Sequence, residues 1–163
     1  MEQEKIEAWR RAEEGVRAWT EDIFIPAIGL RRIQLIYAPS FRPGYSWDIR
    51  ELGGSYRLYS SRVMTESLER RLSGYREIEA GDEVLRRFIE RLRAIALPIS
   101  PDFSGYGGFD GTTCQLGFFG DLSSSVRFQW WSEGPEQWQE LIAIAEEMIK
   151  SFLSLQTGET TST

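Results

Sequence analysis

Residues 109–153 read as a turn, a β-hairpin and a long amphipathic helix, and this order of elements constrains what the rest of the chain can build. Cys114, Leu116 and Phe118 alternate with Thr113, Gln115 and Gly117. Val126, Phe128 and Trp130 alternate with Arg127, Gln129 and Trp131. A period of two in β-branched and aromatic residues predicts two half-buried strands. Gly120-Asp121 and the serines after it supply turn chemistry between them. Asp110-Gly111 is a second turn signal, so a further short strand near 103–109 is expected. The helix comes next, with Pro135 at its start, where an absent N–H costs nothing, and Glu136 in the first turn, where the helix dipole favours an anion. Trp138, Leu141, Ile142, Ala145, Ile149 and Phe152 then recur at three and four residues, one apolar stripe that predicts packing on the hairpin.

Upstream elements follow from the same rules. Residues 2–19 predict an N-terminal helix with Ile6, Trp9, Val16 and Trp19 on one face. Residues 22–30 contain Pro26 and Gly29 and read as a connection. Strands are expected at 31–38, 45–51 and 55–62, the last two joined by Gly53-Gly54, which together make a meander. One or two helical turns are expected at 65–72 and a short strand at 74–79. A second helix is expected from Asp82 to about Ala96, with Val84, Leu85, Phe88, Ile89, Leu92 and Ile95 inward. Asp82 and Arg86 are spaced for a favourable pair, and Arg86, Arg87, Arg91 and Arg93 form a basic edge. The fold class is α+β: an antiparallel sheet of about five or six strands, helices packed mainly on one face, and helices at both ends. Residues 1–154 are expected to form a single domain, and 155–163 a disordered tail.

Composition narrows the chemistry. The 163 residues include one Cys and neither His nor Asn. An internal disulfide framework, a Ser-His-Asp triad, Cys-His catalysis and histidine zinc sites are therefore excluded. Neither a cofactor nor a metal is expected. Basic residues comprise seventeen Arg against two Lys, as in a GC-rich bacterium. With no run of about 18 apolar residues and a charged N-terminus, the chain is expected to be cytoplasmic, with no membrane partner. Charge is uneven: residues 1–100 carry 17 basic and 16 acidic groups, whereas residues 101–163 carry 2 and 9. An acidic third repels phosphate backbones, so nucleic acid is not expected as a partner. It favours and accelerates association with a basic protein.

Candidate site residues sit around the hairpin. Trp131 must face away from Trp130 on the strand, on the side of Phe119 and Arg127. An exposed aromatic pair beside Arg has the composition of a binding hot spot, unless the N-terminal helix covers it. Glu133 and Glu136 extend that surface with acidic groups, and self-association is open if the aromatics are uncovered. The loop Ser100 to Gly111 is rich in Gly and aromatics, but no Lys-Ser/Thr and no helix follow it, so it is not a phosphate cradle. It offers instead a pocket with Phe103, Tyr106 and Asp110 for a small molecule or for carboxylate catalysis. Cys114 falls on the core face and reads as inert.

Asp110-Gly111-Thr112, Trp130-Trp131 and the spacing Pro135, Trp138, Leu141 resemble a pattern in a family of small bacterial proteins that carries no assigned function. The resemblance covers the last third of the chain and implies a fold rather than an activity. A small, acidic α+β chain is also similar in style to immunity proteins that neutralise toxins. Two readings result: a non-enzymatic protein-interaction module, immunity-like, that binds a basic partner through its acidic, aromatic C-terminal face; or a small-molecule module or carboxylate enzyme with a pocket at 100–111.

Overall fold

A computed structural model describes residues 24–63, 75–98, 101–102, 111–121 and 124–158. The helices expected at 2–19 and 65–72, the strand near 103–109, and the candidate residues Tyr106 and Asp110 lie outside these described residues.

Among the described residues, seven antiparallel strands form one sheet: β1 (Phe24–Ile25), β2 (Gly29–Pro39), β3 (Gly44–Leu52), β4 (Ser55–Val63), β5 (Arg76–Ile78), β6 (Thr112–Phe119) and β7 (Ser125–Trp131). Their order across the sheet is β5-β4-β3-β2-β6-β7, with β1 paired to the start of β2. The meander β2-β3-β4 and the hairpin β6-β7 fall where alternation predicts them. β1 is an addition, because residues 22–30 read as a connection. Phe24 pairs with Leu30, and Gly29 makes the return tight. Two helices follow from the periodic segments: α1 (Asp82–Arg93) and α2 (Gln139–Thr157).

The stripe of α1 is narrower than its sequence suggests. Leu85, Phe88, Ile89 and Leu92 are buried, but Val84 is 42% exposed. An arc of 85, 88, 89 and 92 already fills the inward face, and position 84 falls off it. The basic edge is used for attachment: Arg86 pairs with Asp82 at 3.1 Å and lies over Tyr56, and Arg91 pairs with Glu147 of α2 at 2.7 Å. Pro135 precedes a short 3₁₀ turn (Glu136–Trp138), and α2 proper starts one residue later. α2 runs through Thr157, three residues into the expected tail, and stops at Gly158, whose φ of 69° is the left-handed geometry that closes a helix.

Core packing joins both helices to one row set of the sheet. Leu85, Phe88, Ile89 and Leu92 of α1 and Leu141, Ile142, Ile144, Ala145, Met148, Ile149 and Phe152 of α2 share a cluster with Ile33, Leu35, Trp47, Ile49, Leu58, Cys114, Leu116 and Trp130. Phe152 meets Trp47 at 5.8 Å and Phe88 at 5.9 Å between ring centroids. Each such Leu, Ile, Met or Phe contributes about 1.5–3 kcal/mol against the chain entropy of folding. Ile36, Tyr59 and Phe119 are buried as well but stand outside that cluster, on the strand positions that point the other way. No described helix is long and apolar enough to cross a membrane.

Candidate functional site

The second face of the sheet is polar and buried. Alternation on β2 and β3 sends Ile33, Leu35, Trp47 and Ile49 to the core, so Gln34, Asp48 and Arg50 must point to the opposite side. A register shift between Arg31 and Ile33 keeps Arg31 with them, opposite Arg50. All four are at most 2% exposed. Burial of charge at this depth demands partners, and Asp48 supplies them. Its Oδ2 accepts from Arg31 Nε at 2.9 Å and Nη2 at 2.7 Å, and from the Tyr75 hydroxyl at 2.9 Å. Its Oδ1 accepts from Gln34 Nε2 at 3.3 Å, while Arg50 Nη2 stands 3.5 Å from Oδ2. Tyr75 in turn accepts from Arg50 Nε at 2.7 Å and stacks on Tyr59 at 5.2 Å. Burial, reinforced by the Asp48 charge, raises the Tyr75 phenol and keeps it a donor.

Two of the expected site residues, Phe119 and Arg127, border this network. Phe119 is 4% exposed: of the two arrangements open in the sequence, an exposed aromatic or a covered one, its ring takes the covered one. Two guanidinium groups flank its ring, Arg31 at 5.5 Å and Arg127 at 5.8 Å from the centroid. Gly117 makes the space: a Cβ there would meet the ring at 3.1 Å, so an ordinary side chain would press the aromatic outward. Arg127 lies directly across from Gly117, and Gly117 across from Gln34, in one cross-strand row that continues to Asp48. Arg127 is half-buried, yet its Nε and Nη2 are buried without a hydrogen-bond partner. Burial, then the Arg31 charge, lowers its pKa. Gln34 Oε1, in the same row, also lacks a partner. Trp131 is two rows further along β7 and half-buried; its indole lies against Gly111, where a Cβ would come within 2.4 Å.

Glu133 and Glu136 are separated from that face. β7 ends in a turn at Ser132, Glu133 and Gly134, held by Gly134 N–H donating to Trp131 O at 3.1 Å. Gly134 has φ 65°, and a Cβ would strike Ile142 Cδ1 at 2.6 Å and Trp130 Cδ1 at 2.9 Å. Gln139 Nε2 donates to Glu133 O at 2.9 Å and fixes the turn to the helix. The side chains of Glu133, Glu136 and Glu140 are exposed and make no ion pair with the described residues, whereas Asp121 pairs with Arg32 at 2.7 Å and Glu147 with Arg91. The structure thus brings Phe119 and Arg127 together and sets an acidic rim apart from them.

Arg31, Gln34, Asp48, Arg50 and Tyr75 escaped the sequence reading. Polar residues alternating with apolar ones on a strand signal a solvated face, and these are buried instead. A usable signal was Asp48 between Trp47 and Ile49, since Asp is depleted in strands. A cleft of about 410 Å³ opens at the end of the hairpin, with Ile33, Ile89, Phe118, Phe119 and Val126 as its apolar lining and Arg32 and Arg93 as charged members. Cys114 is buried, and burial pushes its thiol up to about 11. Among the described residues, no three His, Cys, Asp or Glu side chains are grouped to hold a metal ion. No protein-family model matches the chain, and no curated protein and no solved structure was found similar to it.

Proposed function

We propose that this chain is a non-enzymatic module that binds another protein, with the acidic rim Glu133, Glu136 and Glu140 turned toward a basic surface of that partner. The observation that carries this reading is the rim itself: three exposed carboxylates that make no ion pair with the described residues, where β7 passes into α2. The helix dipole accounts for anions at Glu136 and Glu140, which sit near the helix start, but Glu133 lies before it on a turn. Asp48 does not compete as a catalytic group, because donors occupy both of its oxygens. Localisation in a bacterial cytoplasm and an immunity-like inhibitory role belong to the same proposal. Its test is capture of partners by the tagged protein with salt-graded elution, followed by association kinetics for the partner obtained. A basic protein is expected, released by rising salt, whose association slows severalfold when Glu133 and Glu136 are changed to Lys. An unchanged association rate in that variant would overturn the reading.

The cleft favours a second reading, a small amphipathic ligand whose apolar part enters between Ile33, Ile89 and Phe118. Thermal shift with octanoate, repeated after Val126→Trp narrows the opening, separates the two: a shift abolished by the substitution supports the ligand, and no shift with octanoate counts against it.

A further inference from the structure

The open edge of the sheet has a chemistry of its own. Ser132 N–H donates to Thr112 O at 2.7 Å, and Gly120 N–H to Ser124 O at 2.8 Å. These bonds fix the phase of the β6–β7 ladder. Trp130, Phe128 and Val126 bond toward β6, and the backbone N–H and C=O groups of Ser125, Arg127 and Gln129 point outward, with the Trp131 N–H. Among the described residues nothing pairs with that outer side, and β7 is the last strand in the sheet order. The opposite edge is different: β5 is three residues long, one of the ways sheets protect an edge. β7 is seven residues long and has no Pro and no Lys. Ser125, Val126 and Gln129 are exposed along it, Val126 to 48%.

We propose that β7 accepts an extended segment of a different protein as an added strand, and that the segment carries a carboxylate opposite Arg127 and apolar residues beside Val126 and Phe128. The proposal rests on the protein-binding reading and adds its geometry. Two independent features select the occupant. One is the row of main-chain groups that no described residue pairs with, which any strand satisfies. The other is Arg127, at the centre of that row, whose guanidinium has donors without a partner. A charge in the middle of an edge strand obstructs uncharged strands and admits one that brings the opposite charge. β7 itself, Ser-Val-Arg-Phe-Gln-Trp-Trp, contains no carboxylate. A second copy pairing β7 to β7 would therefore place Arg127 opposite Ser125, Arg127 or Gln129, and in none of these registers is the charge answered. The acidic rim lies just past the C-terminal end of the strand, so a basic residue near one end of the segment completes the match.

The test uses the full chain and a fluorescein-labelled nine-residue peptide of alternating threonine and valine, with glutamate at its centre and lysine at its end. A control peptide has lysine at the centre. The glutamate peptide should bind about fivefold tighter or more, and Arg127→Glu should invert the order. Gln129→Pro is the variant that keeps the fold: the N–H it removes points outward, so no bond to β6 is lost, and proline is tolerated on such an edge. It should melt within a few degrees of the parent and bind neither peptide. Equal binding of the two peptides, binding to Gln129→Pro, no binding at all, or a dimer that Gln129→Pro dissociates would each overturn the proposal. The rim is read separately. Partner capture that needs Glu133 and Glu136 but survives Gln129→Pro leaves the protein-binding reading in place and removes the added strand.

Discussion

Asp48→Ala tests whether the polar face of the sheet is held as its geometry implies. The substitution removes the shared acceptor of Arg31, Tyr75 and Gln34 and leaves Arg31 and Arg50, 1% and 0% exposed, without its charge beside them. Truncating one partner of a buried charge pair costs about 3–5 kcal/mol, because the surviving charge stays desolvated. A domain of this size has roughly 5–15 kcal/mol of total stability, so the loss is a large fraction of it. At about 2–4 °C per kcal/mol, the melting temperature should fall by roughly 6–20 °C. Asp48→Asn keeps the shape and one acceptor oxygen, and should cost less, about 1–3 kcal/mol. Pairing Arg31→Met with Asp48→Leu removes both members, and the double variant should be less destabilised than the sum of the singles by about 1 kcal/mol or more. Urea unfolding followed by tryptophan fluorescence reads all of these, with Trp47 next to the network in sequence and buried on the opposite face as a reporter. A cost below about 1 kcal/mol for Asp48→Ala would refute the reasoning, since a buried carboxylate that accepts from Arg31 and Tyr75 and stands beside Arg50 cannot be dispensable at that depth.

Asp82 is held below the usual carboxylate range, mainly by the Tyr56 N–H at 2.5 Å and then by Arg86. Its stabilising contribution is therefore complete above the unfolded value of about 4 and fades as pH falls through the lower folded value. Thermal melts from pH 2 to 5 should show a shallower acid limb for Asp82→Asn, and an identical limb would remove this account. With its thiol raised to about 11 by burial and then by the Glu146 charge, Cys114 should react with a disulfide reagent at pH 8 about two orders of magnitude more slowly in the native protein than in urea. Equal rates would show that the site is open. Gly134→Ala should cost about 2–4 kcal/mol, from the left-handed backbone and the contacts with Ile142 and Trp130. A stability loss within experimental error in chemical denaturation would count against the tight β7–α2 junction.

How much of this could be read in the chain depends on what each residue's neighbours enforce. Helix and strand periods are local, so β2, β3, β4, β6, β7, α1 and α2 were legible within a few residues from side-chain alternation alone. Phe24 and Ile25 carry no such period; they are a strand only because Gly29 turns the chain back upon them. Leu155 is 42% exposed, so the end of α2 shows no apolar stripe, and only Gly158 marks where the helix stops. The site failed for a different reason. Which face of a strand meets solvent is set by what the rest of the chain lays over it, and period two is blind to that. Phe119 and Arg127 were paired correctly because Gly117 and alternation place them on one side of adjacent strands. Whether that side is exposed or covered stayed open in the sequence, and the partnership of Arg31 with Asp48, which bridges 17 positions and depends on a register shift, was not readable. The same logic makes the edge of β7 informative: its outward amides follow from two backbone bonds at the ends of the hairpin, and Arg127 is the one charged side chain that the sequence sets among them. A surface anchor would have explained Arg127 by exposure. A half-buried guanidinium with unused donors on a strand whose outer side has no partner among the described residues is what the proposed added strand, bringing both backbone and charge, would answer.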